Sequence, residues 1–131
     1  MITMMDQRKT LLTAVIFGGL AVAIGAFGAH ALKPLLEANA RTETFELAVR
    51  YQFYHSFAML FAGVLMQHFP SRQIGRAALC FAVGIVIFSG SLYTLSLSGM
   101  RILGAVTPIG GILFIAGWLL LFIGINEKRS R

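Results

Sequence analysis

Two histidines, His30 and His55, with Arg50, Tyr51, Gln52, Ser91 and Tyr93, carry most of the chemistry that this 131-residue sequence offers. Arg50 can pair with an anion such as a phosphate, or with Glu46 one helical turn away. The tyrosines, histidines and amide can donate or accept hydrogen bonds. Two histidines are the right type for a shared haem or metal, but no third ligand or Cys/Asp partner accompanies them. Ser56 follows His55 directly and lies on a neighbouring helical face, so no nucleophile, base and orienting group come together. The six methionines form no stripe that would suggest copper. These residues read as a polar binding cluster, with no metal, no cofactor and no enzyme mechanism expected.

The chain that must position them is 57% hydrophobic and only 12% charged, about half the charged content of a soluble domain. Its net charge of +6 does not point to nucleic acid. The basic residues stand at the ends of apolar runs and not on one aromatic-laced face. Cys80 is the one cysteine, so no intramolecular disulfide is possible and it reads as a small buried hydrophobe.

Four apolar runs, at about 11–31, 47–69, 77–97 and 103–125, approach the roughly 20 residues needed to cross a hydrocarbon core. The expected fold is an all-α membrane protein, one domain over 1–131. Four transmembrane helices would form an antiparallel up-down-up-down bundle. The "AHA" at 29–31 imitates a signal-peptide cleavage site. The run before it exceeds the roughly 7–15 residues of a signal core, so a first span is expected. Between the first two runs, Pro34 with Leu32, Leu35 and Leu36 predicts a short interfacial helix. Thr42 or Thr44 is placed to cap the second run, and Pro108 to bend the fourth.

With four crossings, both termini and the middle loop share a side that holds seven lysines and arginines, against four on the other. The positive-inside bias then puts both termini in the cytoplasm of a cell with this inner-membrane protein. Helix association in lipid needs small residues that allow close backbone approach. The glycines expected to provide it are Gly18, Gly25, Gly63, Gly84, Gly110 and Gly117, most of them in seven-residue steps that suit a left-handed bundle.

Sorted by depth, the polar residues converge on the outer side. His30 ends the first run there, residues 50–56 open the second, Ser89 to Ser98 close the third, and Thr107 starts the fourth. The inner halves, such as "AALCFAVGIVIF" and "FIAGWLLLFIGI", are nearly all apolar. Arg50 is expected to snorkel to the interface, leaving His55 just below the headgroups. Trp118, within the fourth run, needs a partner for its indole N–H.

Four segments, "GAFGAHAL" (25–32), "FELAVRYQFYH" (45–55), "FSGSLYTLSLSG" (88–99) and "VTPIGGILFIAGW" (106–118), resemble a small bacterial membrane family called domain of unknown function 423. Its animal relatives are named transmembrane protein 256. The positions that match are Gly25, Gly28, His30, Arg50, Tyr51, Gln52, His55, Ser89, Gly90, Ser91, Tyr93, Pro108, Gly110, Gly111 and Trp118. The resemblance implies an integral inner-membrane protein with four helices, and no particular activity.

The expected function is non-enzymatic: an outer-side pocket of His30, Arg50, Tyr51, Gln52, His55, Ser91 and Tyr93 that binds a lipid, a quinone or a partner helix. The alternative is a small transporter or channel subunit working as an oligomer, because the apolar inner half gives a single chain no polar path. Membrane lipids are the expected partners, with a homo-oligomer or larger membrane complex at the protein level.

Overall fold

The computed structural model describes residues 4–128. It contains helices α1 (Gln7–Ala29), α2 (Lys33–Ala38), α3 (Thr42–Leu65), α4 (Arg72–Ser98) and α5 (Thr107–Asn126), with a 3-10 turn at Arg101–Ala105. Local chemistry sets the ends. The Asp6 carboxylate accepts from the Lys9 amide at 2.9 Å and starts α1. That hydrogen bond holds the Asp6 carboxyl below the usual carboxylate range. Ser71 caps α4 through the Gln73 amide, and Gly99, at φ 71°, closes it in a left-handed conformation that a side chain would strain. Pro34 begins α2, whose Leu36 is buried. Two local expectations are corrected. Neither Thr42 nor Thr44 caps α3, which starts without a side-chain cap. Pro108 does not bend a helix but opens α5, where its missing N–H costs nothing.

The expectation of four transmembrane helices in an up-down-up-down bundle is also corrected. Three helices among the described residues are long and apolar enough to cross a membrane: Gln7–Ala29, Arg72–Ser98 and Arg101–Asn126. The run at 47–69 does not supply a fourth. Its helix, α3, is as long as α1, but Glu43, Glu46 and Arg50 followed by Tyr51, Gln52, His55 and Ser56 make its first half too polar. Nor do the long helices close into a bundle. The pairs α1–α3, α3–α4 and α4–α5 pack extensively, whereas α1 and α5 make no substantial contact. The helices therefore form an open row in which α3 and α4 are central.

Within this row α3 carries the chain back alongside α1. Met5 donates to the Gly75 carbonyl at 3.0 Å and the Gln7 amide to the Gly63 carbonyl at 2.9 Å. A Cβ on Gly124 would meet Ile74 and Ser71. The start of α1, the end of α3, the start of α4 and the end of α5 thus share one end of the molecule. At the other end the Asn39 amide ties the chain after α2 to the Ser96 carbonyl of α4 at 3.1 Å.

Two antiparallel seams advance in steps of seven on both partners. Across α1 and α3, Leu11 meets Gly63, Gly18 meets Ser56 and Gly25 meets Val49. Across α4 and α5, Ile74 meets Gly124, Phe81 meets Gly117 and Phe88 meets Gly110, with Phe114 returning against Gly84. Each glycine of the second seam makes room for a large side chain of the facing helix, which is how close approach is gained where lipid offers no hydrophobic drive. The core beside these seams, including Ala14, Met59, Ala62, Ala77, Phe81 and Ile85, is apolar and buried.

Gly110 is the tightest position on this second seam, because an added methyl group would stand 2.5 Å from the Phe88 backbone nitrogen. Backbone cannot step aside as a side chain can. Gly110→Ala should therefore destabilise the protein by about 1–3 kcal/mol, whereas Gly19→Ala, with nothing within 4 Å, should be close to neutral. Thermal unfolding of both variants in mild detergent checks this; equal melting temperatures would contradict the seam.

Candidate functional site

Arg50, Tyr51 and Gln52 are neighbours in sequence, but successive residues of a helix point about 100° apart. The structure sends these three to three different places. The residues expected as one pocket are accordingly divided.

Gln52 enters the interior and is 3% exposed. Its Nε2 donates to the Phe17 carbonyl of α1 at 2.9 Å, and its Oε1 accepts from the Tyr93 hydroxyl of α4 at 2.7 Å. One amide therefore links three helices. Phe17 lies near the middle of α1, so this polar link reaches mid-helix and is not confined to one end. Ser89 adds a second tie, donating to the Ala48 carbonyl at 2.7 Å. Ser91 and Thr107 place their hydroxyls 2.7 Å apart and join α4 to α5. The Tyr93 ring leans on Phe45 with centroids 5.2 Å apart.

Tyr51 and His55 face the other way, toward α5. His55 is 5% exposed and stacks on Phe114, with centroids 3.5 Å apart and planes 7° from parallel. The Trp118 indole N–H donates to His55 Nε2 at 3.2 Å, which is the partner that indole required. That bond obliges Nε2 to present a lone pair, so the ring proton sits on Nδ1 and is donated to the Tyr51 carbonyl at 2.8 Å. Both nitrogens of the neutral ring are occupied. Trp118 lies near the middle of α5, so His55 packs beside the central turns of that helix.

Between α3 and α5 a laterally open groove of about 680 Å³ is lined by Tyr51, Tyr54, His55, Pro108, Gly111, Ile112, Phe114, Ile115 and Trp118. It exists because α3 and α5 both pack on α4 more than on each other. Tyr54 and Trp118 are about half exposed along it. The sequence reading missed Phe114, Gly111 and the two isoleucines as lining residues. Their only signal is spacing: 111, 115 and 118 recur on one helical face opposite the 51, 54, 55 face of α3.

His30 and Arg50 lie elsewhere. His30 is the C-cap of α1, exposed beside Ala23, Ala26 and Phe27, and does not share a site with His55. Arg50 is exposed at a separate hollow between α1, α2 and α3. It makes no ion pair with Glu46; among the described residues the pairs are Lys9–Asp6 and Lys33–Glu37. Nor does any group of three His, Cys, Asp or Glu side chains among them stand close enough to hold a metal ion.

Residues 24–111 match the model of a family described as Protein of unknown function (DUF423). The chain is 41% identical to the UPF0382 inner membrane protein YgdD of Escherichia coli strain K12 over 127 residues, 96% of each chain. It is 47% identical over 104 residues to a UPF0382 membrane protein of Staphylococcus haemolyticus, covering 79% of this chain and 84% of that one. No solved structure matches it. The apolar helices and the Escherichia coli relative agree on a multi-pass protein of the inner membrane.

The Gln52–Tyr93 bond should be measurable as a coupling. Tyr93→Phe and Gln52→Leu should each cost about 1 kcal/mol, in the range of interhelical hydrogen bonds in membranes. The double variant should cost clearly less than their sum, because either change alone removes the shared bond. Unfolding in detergent reads the cycle; strict additivity would remove the link.

Proposed function

We infer that this chain, which belongs to the DUF423 family of bacterial membrane proteins, is a non-enzymatic binding protein of the inner membrane. Its site is the groove between α3 and α5, and its ligand is a lipid-phase molecule with a flat polar ring and an apolar tail, the chemistry of a quinone. The observation that carries this reading is the groove itself: about 680 Å³, within the usual range of about 300–1,000 Å³ for small-molecule sites. Tyr54 and Trp118 offer exposed ring faces for stacking. The Tyr51 and Tyr54 hydroxyls make no hydrogen bond within the described residues and are free to meet ring oxygens. Ile112 and Ile115 supply a wall for the tail. A lateral opening suits a ligand that arrives through the bilayer.

His55 acts here by position. Its bond to Trp118 and its stack on Phe114 hold two walls of the groove in register. The apolar core at the other half of the molecule supports binding over conduction by a single chain. The end that gathers the start of α1 and the end of α5 carries Arg8, Lys9, Arg72, Arg76 and Lys128. The positive-inside bias supports placing that end on the cytoplasmic side.

Trp118 is the sole tryptophan, so its fluorescence reports on the groove directly. Titrating the full chain in detergent with a decyl-substituted benzoquinone should quench it saturably, at one quinone per chain. Gly111→Leu, which fills the groove while leaving Trp118 in place, should raise the apparent Kd about tenfold, equivalent to about 1.4 kcal/mol. Quenching that rises without saturation and is unchanged in Gly111→Leu would overturn the reading. Saturation by a tail-brominated phospholipid but not by the quinone would replace the ring with an acyl chain as ligand.

A further inference from the structure

A second hollow, about 220 Å³, lies where the end of α1 and the short α2 meet the start of α3. Gly25, Leu36, Phe45 and Val49 form its apolar interior, and Glu46 and Arg50 stand exposed beside it. These two opposite charges are one helical turn apart, the spacing at which side chains readily pair. They do not pair. The two ion pairs among the described residues, Lys9–Asp6 and Lys33–Glu37, have the same kind of local spacing and do close. Glu46 and Arg50 instead present one negative and one positive group side by side, next to a hollow that can take hydrocarbon.

We propose that this hollow binds a zwitterionic aminophospholipid, with its primary ammonium on Glu46, its phosphodiester on Arg50 and the first part of an acyl chain in the interior. The match is one of charge and shape. A guanidinium holds a phosphate through paired N–H donors. A primary ammonium brings three donors to a carboxylate. The two-carbon bridge of an ethanolamine headgroup keeps ammonium and phosphate within the reach of two side chains whose Cβ atoms are about 5–6 Å apart. A phosphatidylglycerol would satisfy Arg50 but set its phosphate beside Glu46 with no ammonium to offset the repulsion. A choline headgroup would bring charge without N–H donors. The hollow is below the size of a complete small-molecule site, so it takes the glycerol end and leaves the tails in the bilayer. This site is separate from the groove between α3 and α5 and does not depend on what that groove binds.

Native mass spectrometry of the full chain, released from mixed micelles containing equimolar phosphatidylethanolamine and phosphatidylglycerol of identical acyl chains, tests the proposal. The natural chain should retain the ethanolamine lipid about fivefold over the glycerol lipid, the effect of roughly one exposed charge contact. Glu46→Gln should bring that ratio near unity. Arg50→Gln should weaken retention of both lipids. Both side chains are exposed and unpaired, so neither change removes a contact that holds the fold. Ala29→Leu crowds the hollow without touching a charge and should lower retention of both lipids. Gly111→Leu, on the other face of the molecule, should leave the ratio unaltered. Equal retention of the two lipids by the natural chain, or an undiminished preference in Glu46→Gln, would overturn the proposal.

Discussion

A hydrogen-bonding atom left without a partner in hydrocarbon costs several kcal/mol, and that penalty organises the polar half of this molecule. Among the described residues, no buried side-chain nitrogen or oxygen lacks one. Ser56 and Ser96 turn their hydroxyls back to carbonyls of their own helices. Gln52 and His55 cannot do this with every polar atom they carry, so they reach across to other helices. Gln52 ties α3 to α1 and α4, and His55 ties it to α5. Helix α3 is too polar to stand among lipids alone; its buried Gln52 and His55 are accommodated by hydrogen bonds to its neighbours.

Backbone proximity makes those bonds possible. The seams of α1 with α3 and of α4 with α5 put a small residue opposite a larger one at each seven-residue step. A glycine opposite Phe81 or Phe88 brings α5 close to α4, and this places Thr107 within hydrogen-bond range of Ser91. The short side chains and the polar bridges are thus one device: the first sets the distance, the second uses it.

The same arrangement leaves room. Because α4 receives α3 on one side and α5 on the other, the outer surfaces of α3 and α5 diverge into an aromatic groove. Had α1 closed on α5, that opening would be covered. What distinguishes candidate sites from lipid-facing surface is the presence of polar atoms beside a hollow. The groove has its tyrosine hydroxyls, and the smaller hollow near α2 has Glu46 and Arg50.

Composition and spacing alone determine that the chain is helical, apolar and membrane-borne, because a long uncharged run has no other stable solvent. The seven-residue recurrence of small residues is likewise legible in the sequence, since it follows the period of the helix. Depth and direction are not. The run at 47–69 looks like a fourth span until its polar residues are counted, and its correction follows from Arg50, Tyr51, Gln52, Tyr54, His55 and Ser56. Whether Arg50, Tyr51 and Gln52 make one site or three depends on which neighbour lies at each bearing around α3. That is set by contacts with α1, α4 and α5, far away in sequence. Only the tertiary structure gives His55 to Trp118 and Gln52 to Tyr93, partners 63 and 41 residues distant, because a hydrogen bond is decided by distances that no local pattern encodes.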